Sequence, residues 1–102
     1  MSLNIKEKYG LLINNEWVPA SDGAEFAVYN PANGDQLAIC AEATQADVDK
    51  AVEVATEAFK TWKHVSQVDR ADYLLKIADA IDAHKEHLAQ VETYDNGKPI
   101  RE

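Results

Sequence analysis

Gln36-Leu37-Ala38-Ile39-Cys40-Ala41-Glu42-Ala43-Thr44-Gln45-Ala46-Asp47-Val48 is where the chain changes period. Before Glu42, Leu37, Ile39 and Ala41 alternate with Gln36, Ala38 and Cys40, the period of a strand. After Thr44, the residues Val48, Ala51, Val52, Ala55, Ala58, Phe59 and Trp62 recur at helical spacing. Thr44 and Asp47 form a capping-box pattern in which Asp replaces the usual Glu. The chain therefore divides into a strand-like first part and a helical second part.

Working outward, Phe26, Val28 and Asn30 alternate with Glu25, Ala27 and Tyr29. The intervening Asn30-Pro31-Ala32-Asn33-Gly34-Asp35 reads as a hairpin turn. Pro31 presets φ, and Asn33-Gly34 supplies two residues that accept positive φ. A shorter hairpin is expected earlier: Leu11-Leu12-Ile13, a turn at Asn14-Asn15, then Glu16-Trp17-Val18, ended by Pro19. Residues 1–9 are polar and read as a flexible arm. Beyond the first helix, Ser66-Gln67-Val68-Asp69 repeats the capping pattern. Ala71, Leu74, Leu75, Ala78 and Ile81 then form a stripe that Leu88 and Val91 continue. The stripe thins at His84, which predicts a bend or break there. Gly97 is placed for a left-handed cap and Pro99 for the start of another element. A chain that stops at Glu102 is then expected to stop where an element begins, as a fragment would. The expected class is α+β: two short β-hairpins followed by two or three helices.

Composition narrows the functions. Ten Lys and Arg against eighteen Asp and Glu give a net charge of −8, against a general nucleic-acid binder. At 46% hydrophobic residues the chain is too apolar for disorder by composition. No apolar run reaches the roughly 18 residues of a membrane span. The first ten residues lack an apolar signal core, and there is one cysteine, so a cytoplasmic location is expected.

Chemistry-bearing residues are sparse. Cys40 has no Cys-His motif around it and reads as a small packed strand residue. His84 and His87 share a helix face, but a metal needs three or four ligands, so a solvated polar face is the better reading. Trp62 lies on the apolar stripe and should pack; Trp17 should cover a sheet. Gly10, Gly23, Gly34 and Gly97 stand alone, without a phosphate-cradling pattern. No catalytic constellation is present.

The order of the segments nevertheless resembles one family. Leu12-Ile13-Asn14-Asn15-Glu16-Trp17-Val18 is similar to the opening of the NAD(P)-dependent aldehyde dehydrogenases. Asn30-Pro31-Ala32-Asn33-Gly34 resembles their Asn-Pro-Ala-Thr-Gly turn. Asp47 to Val52 with Ala58-Phe59, Arg70 to Ile81, and Glu92-Thr93-Tyr94-Asp95-Asn96-Gly97-Lys98-Pro99 match further family segments. Five matches in the right order span residues 10–102.

The resemblance implies an amino-terminal piece, residues 10–102, of the family's α/β cofactor-binding domain. The parent enzyme would oxidise an aldehyde to a carboxylic acid with NAD or NADP, through a cysteine thiohemiacetal. The phosphate loop, general base, catalytic cysteine and oxyanion-stabilising amide would all lie outside this sequence. This chain is then scaffold without catalytic residues. It is expected to bind no cofactor alone, to have the remainder of the subunit as partner, and to join a homo-oligomer. The resemblance also implies half of a monovalent-cation site. A backbone carbonyl of Val28 or Tyr29 and the Asp95 carboxylate would supply hard oxygen ligands. For Asp95, a helix-end residue bonding nearby backbone is the competing reading. The alternative function is a complete small interaction or structural protein, and a third reading is an independent enzyme using Cys40.

Overall fold

A computed structural model describes residues 3–101. Five strands precede three helices: β1 (Lys8–Tyr9), β2 (Leu11–Ile13), β3 (Glu16–Val18), β4 (Glu25–Tyr29), β5 (Gln36–Ala41), α1 (Gln45–Trp62), α2 (Gln67–Ala83) and α3 (Lys85–Asn96). Both expected hairpins form. β2 pairs antiparallel with β3, with Leu11 opposite Val18. Asn14 and Asn15 both take positive φ, 53° and 61°, as a tight two-residue turn requires. β4 pairs antiparallel with β5 from Glu25–Ala41 to Tyr29–Gln36, with a register shift between Val28 and Tyr29.

The first strand is a finding the sequence did not announce. The arm expected over residues 1–9 ends in β1, which pairs in parallel with β5, Lys8 opposite Ile39 and Tyr9 opposite Cys40. Two residues are too few to show periodicity, so the pairing was invisible to pattern reading. Gly10 then separates β1 from β2, so one extended stretch serves two sheets. A Cβ at Gly10 would lie 2.7 Å from the Val18 carbonyl oxygen, so only glycine fits this crossing.

Helix boundaries follow their caps. Thr44 Oγ1 accepts from the Asp47 backbone N–H, and the Asp47 carboxylate accepts from the Thr44 N–H at 2.9 Å. At Ser66 only half of the pattern forms: its hydroxyl accepts from Asp69 N–H at 3.1 Å, with no printed return bond. The break falls at His84, where φ of −114° and ψ of 15° leave the helical region between α2 and α3. Among the described residues, no helix is long and apolar enough to cross a membrane.

The core is thin. Ala20 and Ala38 are the buried apolar residues, and no large side chain among the described residues is fully enclosed. Trp62, expected to pack, is held at one edge against Tyr73, ring centroids 5.4 Å apart, and stays 41% exposed. Trp17 is also exposed, with the Lys6 ammonium 5.1 Å from its ring centroid. The body measures 48 × 36 × 17 Å with a radius of gyration of 17.1 Å. A folded domain of this length has a radius near ~13 Å. The molecule is a flat layer, not a closed globule.

Asp47 joins the two halves. It is buried, and both its oxygens accept from the Ser21 N–H, at 3.2 and 3.1 Å, while Oδ2 also accepts from Thr44 N–H and Oγ1. Backbone donation from Thr44, then from Ser21, holds its carboxyl below the ordinary range. A carboxylate with a lowered folded pKa stabilises above its unfolded pKa of about 3.9 and loses that contribution as pH falls through the folded value. We predict that Asp47→Ala lowers the melting midpoint near neutral pH. The gap from the parent chain should close on acidification from about pH 5 to about pH 2. A gap that stays constant across that range would show that Asp47 acts by packing, not charge.

Candidate functional site

The most organised region lies where the β4–β5 turn meets the end of α3. Asn30 builds the turn. Its N–H donates to the Asp35 carbonyl oxygen and its own carbonyl accepts from Gly34 N–H, both at 2.8 Å. Its side-chain Oδ1 accepts from Ala32 N–H at 2.9 Å, an Asx turn around Pro31. Asn33 Oδ1 accepts from Asp35 N–H at 2.9 Å. Of the expected pair, Gly34 takes positive φ, 80°, and Asn33 does not. Asn33 contributes through its side-chain amide, so the loop is longer than a two-residue turn.

The end of α3 docks on this turn. Gly97 closes the helix at φ 84°, its N–H donating to Thr93 at 2.8 Å. A Cβ at Gly97 would lie 2.9 Å from Pro31 Cγ. Glycine is thus needed there twice, for its backbone angle and for the approach of a stiff proline ring. Lys98 reaches back to Glu92 at 3.2 Å, a pair too exposed to contribute much.

Between α3 and the three-stranded sheet is a cavity of about 230 Å³. Val28, Cys40, Val91 and Asp95 line it, together with Ile5 and Tyr9 among others. The structure therefore brings Val28 and Asp95 to one cavity. Tyr29 is not among the lining residues, and it is exposed. Val28 sits at the register shift, where Val28 faces Ala38 but Tyr29 faces Gln36, leaving Leu37 as the extra residue of a bulge. A bulge interrupts the ladder, which is where a strand carbonyl is most readily turned toward another ligand. Sequence reasoning missed this bulge, because alternation across Gln36–Ala41 continues unbroken.

The remaining candidates stay apart. Cys40 is a half-buried free thiol whose cavity holds no imidazole among the lining residues. His84 Nδ1 lies 2.8 Å from the Ala80 carbonyl oxygen, so it caps α2 and carries its proton there. Among the described residues, no group of three or more His, Cys, Asp or Glu is placed to hold a metal ion. Asp95 is the one carboxylate on a largely apolar wall, so the described residues offer part of an oxygen ligand set and not a whole one.

Comparison with known proteins fits this arrangement. The aldehyde dehydrogenase family profile matches residues 17–102. The chain is 47% identical over 94 residues to a Bacillus subtilis (strain 168) protein named as an aldehyde dehydrogenase, DhaS, covering 90% of this chain and 19% of that protein. It is 41% identical over 100 residues to aldehyde dehydrogenase B of Escherichia coli (strain K12), covering 98% of this chain and 20% of that protein. Against the NAD+ complex of an aldehyde dehydrogenase from Bacillus cereus, the TM-score is 0.89 at 44% identity, over 97% of this chain and 20% of that one. The chain thus spans about a fifth of the length of the relatives it matches.

Two glycines separate strain from contact. Gly34 and Gly97 both have positive φ, but nothing lies within 4 Å of a Cβ at Gly34. We predict that Gly34→Ala costs about 1 kcal/mol of backbone strain and Gly97→Ala about 2–3 kcal/mol, strain plus the Pro31 clash. Equal losses in denaturant midpoints would mean that α3 does not rest on the turn.

Proposed function

Because the chain belongs to the aldehyde dehydrogenase family, we propose that it is the amino-terminal scaffold of a subunit that oxidises an aldehyde to a carboxylic acid with NAD or NADP. The observation that carries the reading is the open layer. Phe59 of α1 is 56% exposed and Leu74 of α2 is 68% exposed, on a body 17 Å thick. A stable domain needs two packed layers around one core. The remainder of the subunit is the natural second layer, and the cytoplasm the natural compartment.

The cofactor does not fit the residues of this chain. A dinucleotide needs clustered backbone N–H groups at a glycine-rich turn and a helix N-terminus. Here each glycine is isolated, and the N-terminus of α1 is already occupied by Thr44 and Asp47. No catalytic step is assigned to any residue of the chain. What its residues do is position: Asp47 fixes α1 on the loop after β3, and Gly97 fixes α3 on the Asn30–Asp35 turn.

The test is a chimera in which this chain replaces the matching fifth of the Escherichia coli relative. We predict a folded enzyme that still binds NAD+ and oxidises aldehydes, while the chain alone shows no heat of NAD+ binding. Micromolar binding by the chain alone, or a folded chimera that has lost NAD+ binding, would overturn the scaffold reading.

The cavity at Val28 and Asp95 adds a second role. We propose that the Val28 carbonyl and the Asp95 carboxylate are two ligands of a monovalent cation whose other ligands come from the rest of the subunit. Hard oxygen donors suit such an ion. In the chimera, K+ in place of a bulky organic cation should raise the melting midpoint, and Asp95→Asn should abolish most of that rise. A K+ effect that survives Asp95→Asn assigns Asp95 to the helix end alone.

A further inference from the structure

We propose that two copies of this chain pair through α2, antiparallel across a two-fold axis at the Leu74–Leu75 peptide. Every residue of α2 is exposed. Val68, Leu74 and Leu75 are 71%, 68% and 64% exposed. With Ala71, Ala78 and Ile81 they occupy one helix face at three- and four-residue spacing. That stripe is symmetric in sequence. Ala71 and Ala78 lie three residues either side of the Leu74–Leu75 pair, and Val68 and Ile81 six residues either side. A two-fold interface presents one patch to itself, so residue i meets residue j and j meets i. Reversal about Leu74–Leu75 maps this stripe onto itself and sets Ala71 of one copy against Ala78 of the other. Two facing alanines let the helices approach closely, with a leucine on each border of the contact.

Surface area says how much a partner could cover. The accessible surface is 8071 Å², against about 5,700 Å² for a compact protein of this mass. The surplus of about 2,300 Å² exceeds the ~800 Å² that each partner of a standard interface buries. Charge opposes the pairing. Each chain carries −8, and Asp72 and Asp79 border the stripe on the same side. In an antiparallel pair like borders meet, so these carboxylates face those of the second copy. Salt screens that repulsion. The pairing belongs to the chain alone and does not depend on the family reading; in a full subunit the same face has another layer available.

Sedimentation equilibrium of the purified chain tests it, at low and at high salt. The expected result is a dimer in the micromolar range that tightens with salt, and that Leu75→Asp weakens by at least about tenfold, since the exposed Leu75 would become a buried unpaired charge. Circular dichroism of Leu75→Asp should show the helices retained. Register is read by cysteine trapping in a Cys40→Ser background. Ala71→Cys mixed with Ala78→Cys should oxidise to a cross-linked dimer. Ala71→Cys alone should not, because its two copies lie about 10 Å apart along the axis, beyond disulfide reach. A chain that stays monomeric, a dimer indifferent to Leu75→Asp, or self-linking of Ala71→Cys, as in a parallel pair, would each overturn the proposal. The first of these would leave α2 to the rest of the subunit, and the chimera reports on that reading separately.

Discussion

The Asp47 carboxylate is the constraint on which the arrangement of strands and helices depends. It serves as the third residue of α1 and as the acceptor for the loop that follows β3. Its two oxygens collect the Ser21 N–H, the Thr44 N–H and the Thr44 hydroxyl. Charge-assisted bonds of this kind are stronger than neutral ones. They are also directional, so the helix leaves the sheet at a defined angle although little apolar surface is buried at the junction. A capping box normally stabilises only its own helix. Here the same residues are shared with a loop 26 positions away in sequence, which turns a local signal into a tertiary contact.

Two glycines do comparable work by leaving space. Gly10 lets β1 and β2 run as one stretch past the Val18 carbonyl, and Gly97 lets α3 settle on Pro31. Both contacts would be closed by a single methyl group. The three-stranded sheet, the Asn30–Asp35 turn and α3 are thus held by backbone geometry and polar bonds, with alanines, not large side chains, at the buried positions. Such a body has a defined shape with little hydrophobic stabilisation of its own.

Much of this was legible in the sequence, for reasons that can be named. The hairpins were announced by Asn14-Asn15 and by Asn30 to Asp35, the caps by Thr44, Ser66 and Gly97, and the break by the polar patch at His84; each is a local signal decided by nearby residues. What was not legible depends on distance in space. β1 is two residues long, so its pairing with β5 leaves no pattern. The bulge at Leu37 keeps perfect alternation on the page while shifting the partner. The reach of Asp47 to Ser21 needs the fold before it can be seen. For the cation pair, the family resemblance placed Asp95 beside the β4 strand, and only the structure chose Val28 over Tyr29 as the residue sharing its cavity.

The exposed helices follow from the same economy of core. A helix that is to be covered by its own chain carries apolar residues on the covered side and polar ones elsewhere. On α2, Tyr73 and Ile77 are more than half exposed as well as Val68, Leu74 and Leu75, so apolar groups occupy more than one side. One flat partner covers about half a helix's circumference. Such a pattern therefore calls for neighbours on two sides, and the described chain supplies a neighbour only at the ends, through Trp62 on Tyr73 and the junction with α3 at His84. Burial of apolar surface is worth about 25 cal/mol per Å², so several hundred Å² left open is comparable to a small domain's whole stability. The polar clamps fix the shape of the layer, and its apolar faces make that shape useful only against something else. In a chain without a catalytic constellation, presenting those faces in fixed relative positions is the function that its physical chemistry supports.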